Sequence, residues 1–123
     1  MNKSDLIKRT KKFAHRCVKL ATSLPDNYLG NHIKGQLIRC GTSVAANYRA
    51  ACLAISKPAF VAKLSIVIEE ADEVEFWLEF IIDEQLKPKH LVRPLKSEAH
   101  EIASIFIVSR KTLQMKDSQA EKS

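Results

Sequence analysis

The sequence predicts an all-α protein, a single antiparallel, up-down-up-down four-helix bundle. Only three Gly and four Pro occur in 123 residues, which favours a few long helices over a many-stranded sheet. Apolar residues recur at three- and four-residue steps, the spacing of one helix face. A hydrophobic fraction of 46% is enough for a core. Residues 1–116 form the predicted bundle domain, and residues 117–123 form a polar carboxyl-terminal tail.

The first two helices are predicted from their apolar spacing. The first runs from an N-cap at Ser4 to about Ser23, with a buried stripe of Leu6, Thr10, Phe13, Cys17, Leu20 and Leu24. The second runs from about Asn31 to Ile55, with a core face of Ile33, Leu37, Cys40, Val44, Ala51 and Ile55. Between residues 36 and 55 its only charges are Arg39 and Arg49. A surface helix of a monomer should carry more, so a partner surface is expected.

The third helix is predicted to begin after an N-cap at Ser56, with Pro58 in its first turn. It continues to about residue 86, and it has two apolar strips where a corner helix needs one. The second strip consists of Ile66, Trp77 and Phe80 with Glu73 among them, and it predicts contact with another subunit. The fourth helix is predicted from near Pro94 to about Met115.

Charge is segregated along the chain. Residues 1–57 hold eleven Lys/Arg and two acids, whereas eight of the fourteen acids lie between residues 58 and 86. The candidate nucleic-acid contact is the basic face of the first helix: Lys8, Arg9, Lys11, Lys12, Arg16 and Lys19. Such cations can contact nucleic-acid phosphates, and an oligomer would present several copies of this basic face at once. The alternative is a solubilising face, or charge that balances the acidic third helix of a neighbour.

A second candidate site is a polar network between the second and third helices. Its members are Arg39, Ser43, Asn47, Glu69, Glu70 and Glu73. Half-buried amides and hydroxyls need partners, and carboxylates opposite Arg39 or Asn47 would supply them. We interpret this set as part of the polar network or subunit interface; a small ligand pocket is the alternative.

Catalytic and metal chemistry are not predicted. The histidines are scattered and no Glu-x-x-His pair occurs on the third helix, as a di-iron bundle would require. No Gly-rich phosphate loop or nucleophile elbow is present. We therefore expect no enzyme activity, no cofactor and no metal. Three widely spaced cysteines, no signal-peptide pattern and no apolar run of about 20 residues predict a soluble, cytoplasmic protein without a membrane partner.

Three runs in the second and third helices carry a family resemblance. They are residues 42–49 (Thr-Ser-Val-Ala-Ala-Asn-Tyr-Arg), 69–73 (Glu-Glu-Ala-Asp-Glu) and 76–79 (Phe-Trp-Leu-Glu). Together they resemble the bacterial four-helix bundle proteins, also called the 23S rRNA intervening-sequence protein family. The chain departs from the family at Cys40-Gly41, where Ser is frequent. The resemblance implies an up-down bundle that assembles into a ring-like homopentamer, and it implies no catalytic residue.

The expected function is therefore non-enzymatic binding of RNA or structured nucleic acid by an oligomeric bundle. Some members of the family are encoded within insertions in 23S rRNA genes. A related group serves diversity-generating retroelements as a basic pentamer that binds nucleic acid and a reverse transcriptase. The competing hypothesis is a protein–protein scaffold or adaptor ring, for example one accessory to a nucleic-acid enzyme. An enzyme with an unrecognised pocket is a third class.

Overall fold

The protein is built from four helices, as predicted, and no strand occurs in the residues that the structure describes. The computed structural model describes residues 1–122, and the side chains of residues 1–116. The helices are α1 (Lys3–Thr22), α2 (Tyr28–Cys52), α3 (Lys57–Asp83) and α4 (Lys89–Lys122). Each helix packs against the next one in the chain, and α1 also contacts α4. All four therefore share one core.

The first helix begins before its predicted N-cap. Asn2 accepts a hydrogen bond from the Asp5 amide at 2.9 Å, and the Asp5 carboxylate accepts one from the Asn2 amide at 3.3 Å. This reciprocal capping box satisfies two amide groups at the helix start. The predicted N-cap at Ser4 was therefore wrong, because Ser4 lies inside the first turn.

The second helix also begins earlier than predicted, at Tyr28 instead of near Asn31. Asn27 caps it by accepting from the Gly30 amide at 2.8 Å. A Cβ at Gly30 would lie 2.0 Å from the carbonyl oxygen of Pro25, so the tight entry to α2 requires glycine there. The helix ends at Cys52, which leaves Ile55 in the following loop. Ile55 is fully exposed, and its predicted place in the core was wrong.

The prediction for the start of α3 is confirmed. Ser56 is the N-cap and accepts from the Ala59 amide at 3.2 Å, and Pro58 lies in the first turn. The prediction for the start of α4 was wrong, because the helix begins at Lys89 and Pro94 lies inside it. A proline there removes one backbone hydrogen bond. Burial of Val92 and Leu95 in the shared core offsets that cost, since the first turns of α4 bring both side chains inward.

The fourth helix extends to Lys122, past its predicted end near Met115. The side chains of the predicted polar tail, residues 117–123, lie outside the described residues. The division into a bundle and a tail therefore stays a prediction.

Most of the core comes from the stripes that the apolar spacing predicts, and Val92, before the predicted start of the fourth helix, joins them. Its largest fully buried side chains are Phe13, Phe106, Ile33, Leu37, Leu64, Leu78, Ile81, Ile102, Val44, Val67, Val74 and Val92. Tyr48, which the apolar pattern does not assign to the core, is also buried and packs against Phe106 with ring centroids 4.7 Å apart. The side of α1 that is opposite this core faces outward.

Candidate nucleic-acid interface

Four lysines form the outward face of α1. Thr10, Phe13, Ala14, Cys17 and Ala21 hold the helix against the core, and the Thr10 hydroxyl donates to the Leu6 carbonyl at 2.8 Å. On the other side of the helix the exposed lysines are Lys8, Lys11, Lys12 and Lys19. Within the described part of the chain none of these four forms an ion pair with a carboxylate. This set of exposed, unpaired cations is called the lysine face below.

Arg9, which the basic pattern groups with these lysines, is turned towards α4. Its Nε and Nη2 donate to Glu98 Oε2 and Oε1 at 2.9 and 2.8 Å, and Nη2 lies 3.0 Å from Glu101 Oε1. The hydrogen bond to Glu98 raises the pKa of Arg9 above its ordinary value, although burial opposes this. Arg9 therefore already has two carboxylate partners within its own chain.

The end of the lysine face opens onto a cavity between α1 and α4. The cavity has a volume of about 350 Å³ and is lined by Arg16, Lys19, Leu20, Ser23, Lys87, Leu91 and Leu95. Sequence reasoning missed Lys87 because it lies in the loop before α4, far from α1 in the chain. Only the fold brings Lys87 beside Arg16 and Lys19, so the basic surface continues around this end of the molecule.

The predicted polar network is only partly brought together. Arg39 Nη1 donates to Glu70 Oε2 at 2.9 Å, and Nη2 pairs with Glu73. The Trp77 indole N–H also donates to Glu73, at 3.3 Å. Asn47 instead bonds within α2, donating to the Ser43 hydroxyl at 2.8 Å and carbonyl at 3.0 Å.

Glu69 is separate from this cluster. It is exposed, and among the described residues it makes no hydrogen bond or ion pair with Arg39, Ser43 or Asn47. The structure thus gathers Arg39, Glu70 and Glu73 on the outside of the α2–α3 contact, and it leaves Glu69 free on the surface of α3.

An aromatic ridge lies beside the Arg39 cluster on α3. It consists of Phe76, Trp77 and Phe80, with the Trp77 ring centroid 5.0 Å from that of Phe76 and 6.0 Å from that of Phe80. Phe76 is 51% exposed, and sequence reasoning did not include it in the second apolar strip. Ile66, on the same strip, is 37% exposed. An apolar ridge on the surface marks a candidate interaction site.

The cysteines are free, and two of them are fully buried. Burial raises the pKa of both Cys17 and Cys40 to about 12, so both thiols stay protonated near neutral pH. Protonated thiols are poor nucleophiles. No three His, Cys, Asp or Glu side chains lie close enough to hold a metal ion in the described part of the protein.

No described helix combines the length and the apolar character needed to cross a membrane.

These features define a class: a small all-α protein with a basic, outward-facing helix and a separate aromatic ridge. A family model described as 23S rRNA-intervening sequence protein matches residues 2–107. The chain belongs to this family, which confirms the resemblance seen in helices α2 and α3.

A solved structure is similar over most of its length. It is a crystal structure of a protein with unknown function from the S23 ribosomal protein family of Bacteroides thetaiotaomicron. The match has 30% identity and a TM-score of 0.82, and it covers 90% of this chain and 99% of the other. No curated protein shows significant similarity to the chain.

Proposed function

We propose that the protein is a non-enzymatic, ring-like homo-oligomer that binds RNA or structured nucleic acid through the lysine face of α1. The observation that carries the proposal is that Lys8, Lys11, Lys12 and Lys19 are exposed and form no ion pair with a carboxylate among the described residues. The neighbouring Arg9, by contrast, is neutralised by α4. Unpaired cations on a rigid helix are available to phosphates, and the family's name refers to an rRNA sequence.

The spacing of the lysines suits a phosphate backbone. From Lys8 to Lys19 the helix rises about 16 Å, at roughly 1.5 Å per residue. That length matches about five phosphates at roughly 3.4 Å per nucleotide of one strand. The one Phe, Tyr or Trp between Lys8 and Lys19 is Phe13, and it is buried in the core, so none of these side chains is available for base stacking. Binding is therefore electrostatic, insensitive to sequence and steeply dependent on salt.

An antiparallel, up-down-up-down arrangement of the four helices belongs to the proposal. Lys3 Nζ at the start of α1 lies 3.4 Å from the Cys52 carbonyl at the end of α2. Ser65 early in α3 accepts from Arg110 late in α4 at 3.1 Å. Both contacts are those expected of antiparallel neighbours.

Assembly also belongs to the proposal. An aromatic ridge is stabilised when a second subunit covers it, and family resemblance indicates a pentamer. A ring would present several copies of the lysine face at once, and avidity would then strengthen weak individual contacts. The free, buried thiols of Cys17 and Cys40 are consistent with a cytoplasmic location.

The test compares two charge reversals of equal size. The first is Lys8→Glu, Lys12→Glu and Lys19→Glu on α1; the matched control is Lys89→Glu, Lys111→Glu and Lys116→Glu on α4, where the three lysines are also exposed. Anisotropy of labelled RNA, duplex and single-stranded, measures affinity at low salt.

We expect the α1 variant to lose at least about tenfold in affinity and the α4 control to lose much less, because the phosphates contact α1. Absence of binding by the parent protein at low salt contradicts the proposal. Equal losses of affinity in the two variants also contradict it, since they would show that RNA binding depends on net charge and not on one face of the protein.

A protein–protein adaptor ring is the second candidate function, and the exposed Phe76 of the aromatic ridge favours it. An adaptor would keep its assembly and bind a protein partner after charge reversal of α1. A gene located inside a 23S rRNA gene would favour the RNA-binding function, and one beside a reverse transcriptase gene would favour the adaptor.

A further inference from the structure

A groove lies between α1 and α2. Its volume is about 420 Å³, within the roughly 300–1,000 Å³ typical of binding pockets. Its floor is apolar, made by Ile7, Ala14, Val18, Ala45 and Ala46. Small side chains on α2 keep it open, and Ala46 is exposed. The groove can therefore accept large apolar side chains.

The rim of the groove is basic. Lys11 and His15 of α1 and Arg49 of α2 line it, and all three are exposed. Neither Lys11 nor Arg49 has a carboxylate partner in the described part of the chain. Whatever occupies the groove is expected to combine an apolar centre with an acidic border.

The aromatic ridge of α3 has this combination. Phe76 is its most exposed side chain, at 51%. Asp72 and Glu69 lie four and seven residues before Phe76, so they share its side of the helix. Both acids are exposed, and neither forms an ion pair within the described residues. The ridge is an apolar projection bordered by acids, and the groove is an apolar depression bordered by cations. The two surfaces are therefore complementary in shape and opposite in charge.

We infer that the α3 ridge of one copy docks into the α1–α2 groove of a second copy. This inference rests on the assembly in the proposed function, and it adds the two faces that meet. Because the faces are different surfaces of the molecule, the contact is heterologous, and its repetition generates a ring where the rotation from copy to copy closes. Docking covers Lys11 and leaves Lys8, Lys12 and Lys19 on the outside for nucleic acid.

The test uses one variant for each face. Ala46→Arg fills the groove with a long cation, and Phe76→Glu places a charge on the ridge. Both positions are exposed, so the fold of the subunit is expected to remain. Ser97→Arg and Val108→Glu on α4 are the controls, because they make similar changes at exposed positions away from both faces. Light scattering gives the mass of each species, and circular dichroism checks the helical content.

We expect Ala46→Arg and Phe76→Glu each to reduce the protein to monomers and the two controls to assemble like the parent. Mixing the two monomeric variants is expected to give a one-to-one pair and nothing larger, since each retains the face that the other lacks. Failure of the mixture to pair contradicts the contact.

Assembly of Ala46→Arg like the parent also contradicts the inference. It would mean that ridges meet ridges, or that the groove binds another molecule. A parent protein that is itself monomeric instead contradicts the assembly in the proposed function. RNA affinity of the α1 charge reversal is measured separately, so these failures are distinguishable.

Discussion

Arg9 of α1 and Glu98 of α4 form two parallel hydrogen bonds of 2.9 and 2.8 Å. Their side chains are only 19% and 17% exposed, so the pair is partly shielded from water. Arg39 also forms carboxylate contacts between helices, but its side chain is 50% exposed. Because the Arg9–Glu98 pair is bidentate and partly shielded, it stabilises the contact between α1 and α4 more than most surface ion pairs would.

Replacing Glu98 with Gln is expected to destabilise the fold by about 1–2 kcal/mol, because the half-buried guanidinium loses its charged acceptor. Arg39→Gln is the matched control and is expected to cost less than about 1 kcal/mol. Urea unfolding followed by circular dichroism measures both. Equal losses in the two variants would show that shielding of the Arg9 pair contributes nothing.

The same pair predicts a dependence of stability on pH. The hydrogen bond from Arg9 holds the pKa of Glu98 below its ordinary value of 4.5. The unfolded chain therefore binds the proton more readily, and the contribution of Glu98 is fully present above about pH 5. It is lost as the pH falls through the lowered pKa. The difference in melting temperature between the parent and Glu98→Gln should shrink over that acidic range, and a constant difference would contradict this.

Gly41 and Cys17 mark the close approach of α1 and α2. A Cβ at Gly41 would lie 2.6 Å from Cys17 Cβ and 2.8 Å from its Sγ. Gly41→Ala should therefore destabilise the fold by about 1–3 kcal/mol through overpacking. Gly35→Ala is the control, since its added Cβ would meet no atom within 4 Å beyond the adjoining backbone of its own helix. It should stabilise the fold by about 0.5–1 kcal/mol, and chemical denaturation would show whether the two effects have opposite sign.

Thiol reactivity reports the packing of the core. With pKa values of about 12, the buried Cys17 and Cys40 are almost entirely protonated at pH 8. We expect an alkylating reagent to modify them at least about a hundredfold more slowly in the native protein than in denaturant. Mass spectrometry of the labelled peptides measures each site. Rapid modification of either residue in the native protein would mean that the core opens readily.

Much of the fold could be predicted because the apolar spacing of the core stripes reports their burial directly. Ser56 was recognisable as a cap because the following proline marks the first turn. Pro94 was misread because a local rule about proline ignores the burial of Val92 and Leu95, which tertiary packing decides.

The candidate site was harder to predict than the fold. Helical spacing places Arg9 beside the outward lysines, but only the position of Glu98 on α4 shows that its charge is already matched. Lys87 and the α1–α2 groove were missed for a related reason, since each exists only where separate elements meet. The spacing of charges along one helix carries no information about the neighbouring helices.

The salt dependence of RNA binding shows whether phosphates contact the lysine face. The logarithm of the association constant of the parent protein is measured against the logarithm of the salt concentration. We expect a straight line that falls by about 0.7–0.9 for each phosphate contacted, with a smaller slope after Lys8, Lys12 and Lys19 are replaced by Glu. Absence of binding at low salt, or an affinity that does not change with salt, would contradict it.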